Sequence, residues 1–399
     1  LSLRGRFGKE FDWGVRLATG SFADAISTNQ TLTDFYNRKP VGLDQAYIAW
    51  TPERAPGLRL QAGKFDVPWL RTEMTIDNDL QVEGFNQTYA YDFTAPKKDP
   101  QGPNSLRRKI TFIATQLPFL ERNSAFIRNI NGTINLDDSR RAGRDLALYA
   151  AQVQGLFDLS PTVALTLSAA DLYISPIQVF GNILQLPVIF TIPATATTPA
   201  QLITTQVNIP RDLLVAGNSN LGLSTASSNA VNRDGRLASG YNLVDLIARL
   251  EWINNKTRPK WPVMLLFNFV TNTQTHDVVV AGAGGANVFL KNNENNGYYA
   301  EIQVGRQKQR GDLQFGYTFM RVEKDAVLTP FNISDIAQQS DMRNHRLSFN
   351  YTADPRVVLT LTGIVTERPN GLLGVFGTTP QGSLNRPTTR VQFDTTFRF

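Results

Sequence analysis

Residues 389–399, TRVQFDTTFRF, alternate without a break. Val391, Phe393, Thr395, Phe397 and Phe399 share one strand face, and Arg390, Gln392, Asp394, Thr396 and Arg398 share the other. A side-chain period of two belongs to a β-strand, and one apolar face against one charged face places it between two unlike environments. The same period recurs along the chain. Leu1, Leu3 and Phe7 oppose Arg4 and Arg6, and Phe11, Trp13, Val15 and Leu17 oppose Asp12 and Arg16. Ile110, Phe112 and Ala114 oppose Lys109 and Thr111, and Leu246, Ala248 and Leu250 oppose Asp245, Arg249 and Glu251. About fifteen such segments can be read, each near the 9–11 residues that a tilted membrane-spanning strand requires.

The connections sort by length. Short turns at 8–10, 56–57, 160–161, 309–311 and 354–355 alternate with longer stretches such as 20–40, 66–83 and 173–240. Strands of soluble sandwiches are usually shorter, and their connections do not alternate in this way. Lipid tolerates no open sheet edge, so such a sheet must close. The first and last segments both run toward the short-turn side, which antiparallel neighbours cannot do. A sixteenth strand is therefore expected, with eighteen as the next even number.

Composition narrows the classes. No run of about 18 apolar residues offers a helical span. The chain has 399 residues and no cysteine, which excludes disulfides, thiolate metal sites and covalent haem attachment on this polypeptide. The net charge of +6 is too small for a nucleic-acid binder of this length, but enough to bias ions in a pore. No signal peptide is visible, so the expectation is a mature or trimmed chain.

The terminal Phe399, with apolar residues at every second position before it, resembles the closing strand of bacterial outer-membrane barrels. Over essentially its full length the chain resembles bacterial outer-membrane porins, and Gly63-Lys64-Phe65 ahead of a long loop is similar to a recurring feature of such proteins. The resemblance implies an all-β fold: one transmembrane antiparallel barrel over 1–399, in the bacterial outer membrane. It implies passive diffusion of small hydrophilic solutes and ions with a mild anion preference, no cofactor and no metal. It also implies contact with outer-membrane lipid, a homotrimer, and barrel-assembly machinery reading Phe393, Phe397 and Phe399. A surface or periplasmic protein partner is a further expectation, and nucleic acid is not.

In such porins a loop after the fifth strand folds inward and sets carboxylates against arginines. With one strand ahead of Leu1, residues 66–83 take that place, offering Asp66, Glu73, Asp77, Asp79 and Glu83 as constriction acids. The opposing basic wall would comprise Arg4, Arg6, Arg16, Arg59, Lys109, Arg249, Arg346 and Arg390, with Arg398 at a rim. A solvated surface loop with ordinary acids is the bland alternative. Opposed charged walls in a narrow aqueous pore orient polar solutes and set ion preference. Residues 173–240, with the apolar ILQLPVIF, are expected to plug the mouth, meet a neighbouring protomer or bind a partner; an extracellular excursion with its own hairpin is the simpler reading.

Two other classes have less support. A barrel hydrolase needs a Ser–His pair on one face, but His345 shares parity with Leu347 while Ser348 points the other way. His276-Asp277 is an isolated dipeptide in a loop, and no HExxH zinc spacing occurs. A barrel sheathing a multihaem cytochrome is the other alternative, but a strictly polar lumen with charged residues of both signs favours a water-filled pore.

Overall fold

The computed structural model describes residues 1–20, 28, 38–95, 105–120, 145–175, 183–192, 201–210, 229–230, 232, 237–252, 261–282, 286–334, 336, 339–370 and 387–398. One antiparallel sheet of 15 strands organises them. In chain order these are β1 (Ser2–Phe7), β2 (Phe11–Thr19), β3 (Val41–Trp50), β4 (Leu58–Asp66), β5 (Gln81–Asp92), β6 (Arg108–Leu120), β7 (Leu146–Ser160) and β8 (Val163–Ser175). The sheet continues with β11 (Tyr241–Trp252), β12 (Val263–Asn272), β15 (Asn296–Gly305), β16 (Leu313–Val322), β17 (Met342–Asp354), β18 (Val357–Glu367) and β19 (Thr388–Phe397). Each strand pairs with its predecessor in this order, and no pairing joins β1 to β19. The strand count thus equals the number of alternating segments. The sheet as described ends in two free edges rather than closing on sixteen.

Two hairpins stand apart from the sheet. β9 (Ile183–Ile192) pairs with β10 (Gln201–Pro210), and β13 (Val278–Ala281) pairs with β14 (Asn287–Leu290). The first falls within 173–240, where the sequence offered a hairpin as the simpler reading. β8 extends through Ser175, so the strand takes in the first three residues that the alternation gave to this connection. The second was not read at all, because four-residue strands are too short to show a period.

The outer face carries the apolar side chains that alternation assigns to lipid. Tyr89, Phe112, Val153, Leu167, Leu246, Phe267, Ile302, Phe315, Leu347, Leu361 and Phe393 are exposed. Aromatic rings collect at the short-turn ends, as an interfacial girdle requires. Phe7 stacks with Trp13 at 6.1 Å, Phe11 with Trp50 at 6.2 Å and Trp261 with Phe315 at 6.1 Å. Two glycines keep β3, β4, β5 and β6 closely spaced. Gly63 (φ 115°) and Gly84 (φ 142°) face each other across β4 and β5. A Cβ on Gly63 would lie 2.3 Å from the carbonyl oxygen of Ala46, and one on Gly84 2.2 Å from that of Gln116. Only glycine fits such a backbone. That is the physical content of Gly63 in the Gly63-Lys64-Phe65 stretch.

The buried core lies on the other face, at the long-loop end. Leu117, Leu148, Leu172, Tyr241, Leu243, Val270, Met320, Val322 and Met342 point inward from seven strands. They pack around Trp69, Met74 and Ile76 of the β4–β5 connection and Phe331, Ile333 and Ile336 of the β16–β17 connection. The expectation of a strictly polar lumen is thus corrected at this end. Inward positions near the long loops are apolar because two loops fold onto them and exclude water.

Candidate functional site

The β4–β5 connection spans residues 67–80, since β4 runs through Asp66 and β5 begins at Gln81. It crosses the inner space and is stapled at successive residues. Gln152 of β7 accepts from Leu70 N at 2.9 Å and donates back to Leu70 O at 2.8 Å. Thr72 Oγ1 donates to Asn268 Oδ1 of β12 at 2.5 Å, and Thr75 Oγ1 to Asp245 Oδ2 of β11 at 3.5 Å. Glu73 reaches farthest. Its carboxylate takes Arg346 of β17, with Nη1 at 3.1 Å. From β5 that strand stands eight steps along the sheet (β6, β7, β8, β11, β12, β15, β16, β17). The sheet therefore curls around the loop.

The β16–β17 connection, 323–341, meets it from the other side. Asp77 N donates to Phe331 O at 2.6 Å and Ile333 N to Glu73 O at 2.9 Å, a short backbone exchange between two loops. Ser334 gives both N and Oγ to Asp77 Oδ2, at 2.8 and 3.0 Å. Burial raises the pKa of Glu73 despite Arg346, and also raises that of Asp77 despite its hydrogen bonds.

The long-loop side is bound together through Asp325. Its buried carboxylate accepts from Ala230 N at 2.8 Å, Ser239 Oγ at 2.6 Å, Asn292 Nδ2 at 2.7 Å and Tyr241 Oη at 3.1 Å. Those donors come from the segment before β11, from β11 itself and from the β12–β15 connection. Desolvation outweighs them and raises the Asp325 pKa.

The expected constriction acids thus part company. Glu73, Asp77 and Asp79 lie within the inner crossing. Asp79 accepts from Thr28 N and Oγ1 at 3.3 and 3.2 Å. Asp66 and Glu83 belong to strands and are tied to neighbours, Asp66 to Arg71 at 3.1 Å and Glu83 to Lys64 at 2.7 Å. The basic residues divide as well. Among the expected arginines described, Arg346 is the one whose ion pair engages the loop. Arg6 and Arg59 both hold Asp12, at 2.8 and 2.9 Å, and Arg16 pairs with Asp44. Arg249 meets Glu251 at 3.7 Å, Lys109 faces Asp92 across the β5–β6 register, and Arg4 and Arg390 are exposed on β1 and β19. Phe393 and Phe397 are exposed on β19, while Phe399 lies outside the described residues. His345 Nδ1 sits 2.9 Å from the Tyr317 hydroxyl on the outer face.

Sequence reading missed Asp245, Asn268, Tyr299 and Glu301. All four share inward parity on β11, β12 and β15, and Asp245 breaks an otherwise apolar run. Tyr299 Oη donates to Glu301 Oε2 at 2.9 Å, and Gln303 Nε2 donates to Glu301 Oε1 at 2.6 Å. Around one guanidinium, Arg346, the inner crossing therefore gathers Glu73, with Tyr299 and Glu301 of β15 beside it.

An apolar exterior curled around an inner loop is the arrangement of an outer-membrane barrel. A family profile described as "Putative porin" matches residues 1–371. The chain belongs to that family. As a porin it is a channel of the bacterial outer membrane. Among solved structures it is similar to OmpT of Vibrio cholerae, folded in vitro, at 7% identity and a TM-score of 0.39, covering 99% of this chain and 87% of that one. It is also similar to TodX, the toluene transporter of Pseudomonas putida, at 10% identity and a TM-score of 0.29, covering 91% and 81%. A search of curated proteins gave no significant match.

Proposed function

We propose that this porin passes small hydrophilic solutes and ions by diffusion through an off-centre aqueous passage, with a mild preference for anions. The supporting observation is the placement of the 67–80 crossing. It packs against inward residues of the β6–β17 side, where Thr115, Gln152, Thr166, Asp245, Asn268, Tyr299 and Thr318 are buried. On the other side, Arg6, Arg16 and Arg59 keep 69%, 34% and 35% of their side chains exposed. The solvated wall carries Arg4, Arg6, Arg16, Arg59 and Arg390 against Asp12, Asp44 and Asp394, five bases to three acids. The filled side sets Glu73 and Glu301 against Arg346. A solute in the passage thus meets a basic wall and an acidic loop face, which orients its dipole and favours anions nearest the wall.

A sixteenth strand, antiparallel to both β1 and β19, would close the barrel. It completes the hydrogen bonding that lipid demands. Homotrimers and recognition of the C-terminal strand by barrel-assembly machinery belong to the same proposal, as does the absence of a catalytic step. Planar-bilayer recording under a salt gradient tests it. Stable open steps with a reversal potential on the anion side are expected. A folded barrel that never conducts would overturn the diffusion channel.

A further inference from the structure

The wall forks on its long-loop side, between β5 and β6. These strands pair from Asp92 opposite Lys109 up to Phe85 opposite Gln116, and no further among the described residues. Beyond that point β5 stays with β4 as far as Gln81, and β6 stays with β7 as far as Leu120. Residues 81–84 and 117–120 therefore part. Gly84, with φ 142°, stands against the Gln116 carbonyl where the strands diverge. On β6, Pro118 has no N–H to offer a ladder, and a bulge follows between Pro118 and Leu120. Just below the fork, on the outer face, Gln87 Nε2 donates to Gln116 Oε1 at 3.0 Å and closes the seam.

The fork opens on a cavity of about 180 Å³ lined by Leu80, Val82, Leu117, Phe119, Leu148 and Phe331. It is blind on the inner side, where Leu117, Leu148 and Phe331 belong to the buried core. Lys64 and Glu83 also border it, and Glu83 keeps 64% of its side chain exposed, so this rim faces the exterior of the barrel. Lys64 Nζ donates to Glu83 Oε1 at 2.7 Å and to Gln81 O at 3.4 Å. The rim ammonium thus serves a backbone acceptor at the fork, where open backbone is costly in lipid.

We propose that this fork is a binding slot for hydrocarbon, in which a length of acyl chain from an outer-membrane lipid lies sideways between β5 and β6. What fills a slot in the outer wall comes from the solvent of that wall, and for the outer face of a porin that solvent is lipid. Water is a poor filling, because an apolar cavity stays dry. An empty slot forfeits the dispersion contacts of its lining. An apolar cavity of about 150 Å³ accepts benzene, so this one takes roughly six to eight carbons of chain. Lys64 is already paired with Glu83, so the rim spares no cation for an anionic headgroup. The chain is the part recognised. Leu80 ends the 67–80 crossing and Val82 follows in β5, so a bound chain joins the bilayer to the foot of the inner loop.

Photolabelling of the full-length protein in vesicles of phosphatidylcholine with a mid-chain diazirine provides the test. Adducts mapped by mass spectrometry are expected at the buried Val82 and Leu117 as well as at Leu167 and Phe267 on the outer face. Leu148→Trp fills the slot and should remove the adducts at Val82 and Leu117 while those at Leu167 and Phe267 persist. Val82→Phe fills it from the other strand, with Leu117 as the position read, and serves where the first variant fails to fold. Label at Leu167 and Phe267 of the unaltered protein with none at Val82 or Leu117 would overturn the slot. So would adducts undiminished in both filled variants. Labelling of Val82 and Leu117 by a free diazirine fatty acid, but not by the phospholipid, would overturn the membrane lipid as its occupant.

Discussion

The two sides of the lumen solve the problem of inward polar groups differently. On the β6–β17 side, Gln152, Asp245 and Asn268 are buried and bonded to a loop, so each staple is specific and each loss is costly. On the β1–β4 and β19 side, charged residues remain in water and pair with neighbours on adjacent strands. Exposed ion pairs of that kind add little stability, because water and salt screen them. Stability thus rests on one wall of the sheet, and the proposed passage runs along the other.

Replacing residues 68–79 by a short glycine–serine link should break this comparison most severely. Single-channel conductance is expected to rise several-fold as the filled side becomes water. An unchanged conductance would mean that the filled side contributes no barrier. Asp325→Ala comes next, since it leaves donors from three segments facing a buried gap. A loss of about 3 kcal/mol or more is expected, read as a lower melting temperature and early proteolysis at the long-loop end. Glu73→Gln should cost a comparable or smaller amount, on the order of 3 kcal/mol, because Arg346 stays buried without its counter-charge. Pairing it with Arg346→Met should restore part of the loss, which a double-mutant cycle measures. The smallest effect on stability is expected from Arg4, Arg6, Arg16 and Arg59 changed together to Gln. Melting should stay put while the reversal potential moves toward the cation side, sharpening the division between the two walls.

The strands were legible because lipid on one face and water or packed loop on the other impose a period of two. The inner crossing was legible only through the resemblance, and three of its five expected acids, Glu73, Asp77 and Asp79, fall in it. Asp66 and Glu83 differ because the strands run further than hydropathy shows: Gly63 and Gly84 let β4 and β5 pair closely up to Gln81. The opposed arginine wall was read as one group, since parity says which face a residue takes but not which neighbour lies across the register. Asp12 beside both Arg6 and Arg59 is such a neighbour. The apolar inner cap was hidden for a related reason. Leu172, Leu243, Val270 and Met320 look like ordinary strand residues until two loops, far away in sequence, are folded over them. Asp325 gave no signal, because its donors lie between 33 and 95 residues away.

Glu73 and Arg346 are separated by 273 residues, and Asp77 and Ser334 by 257. Hairpins between consecutive strands close short loops and are entropically cheap, whereas these staples await nearly the whole sheet. The crossing loop is therefore expected to be set after the strands that receive it, and hydrogen-exchange labelling during refolding should show protection at 70–77 appearing later than that of the hairpins.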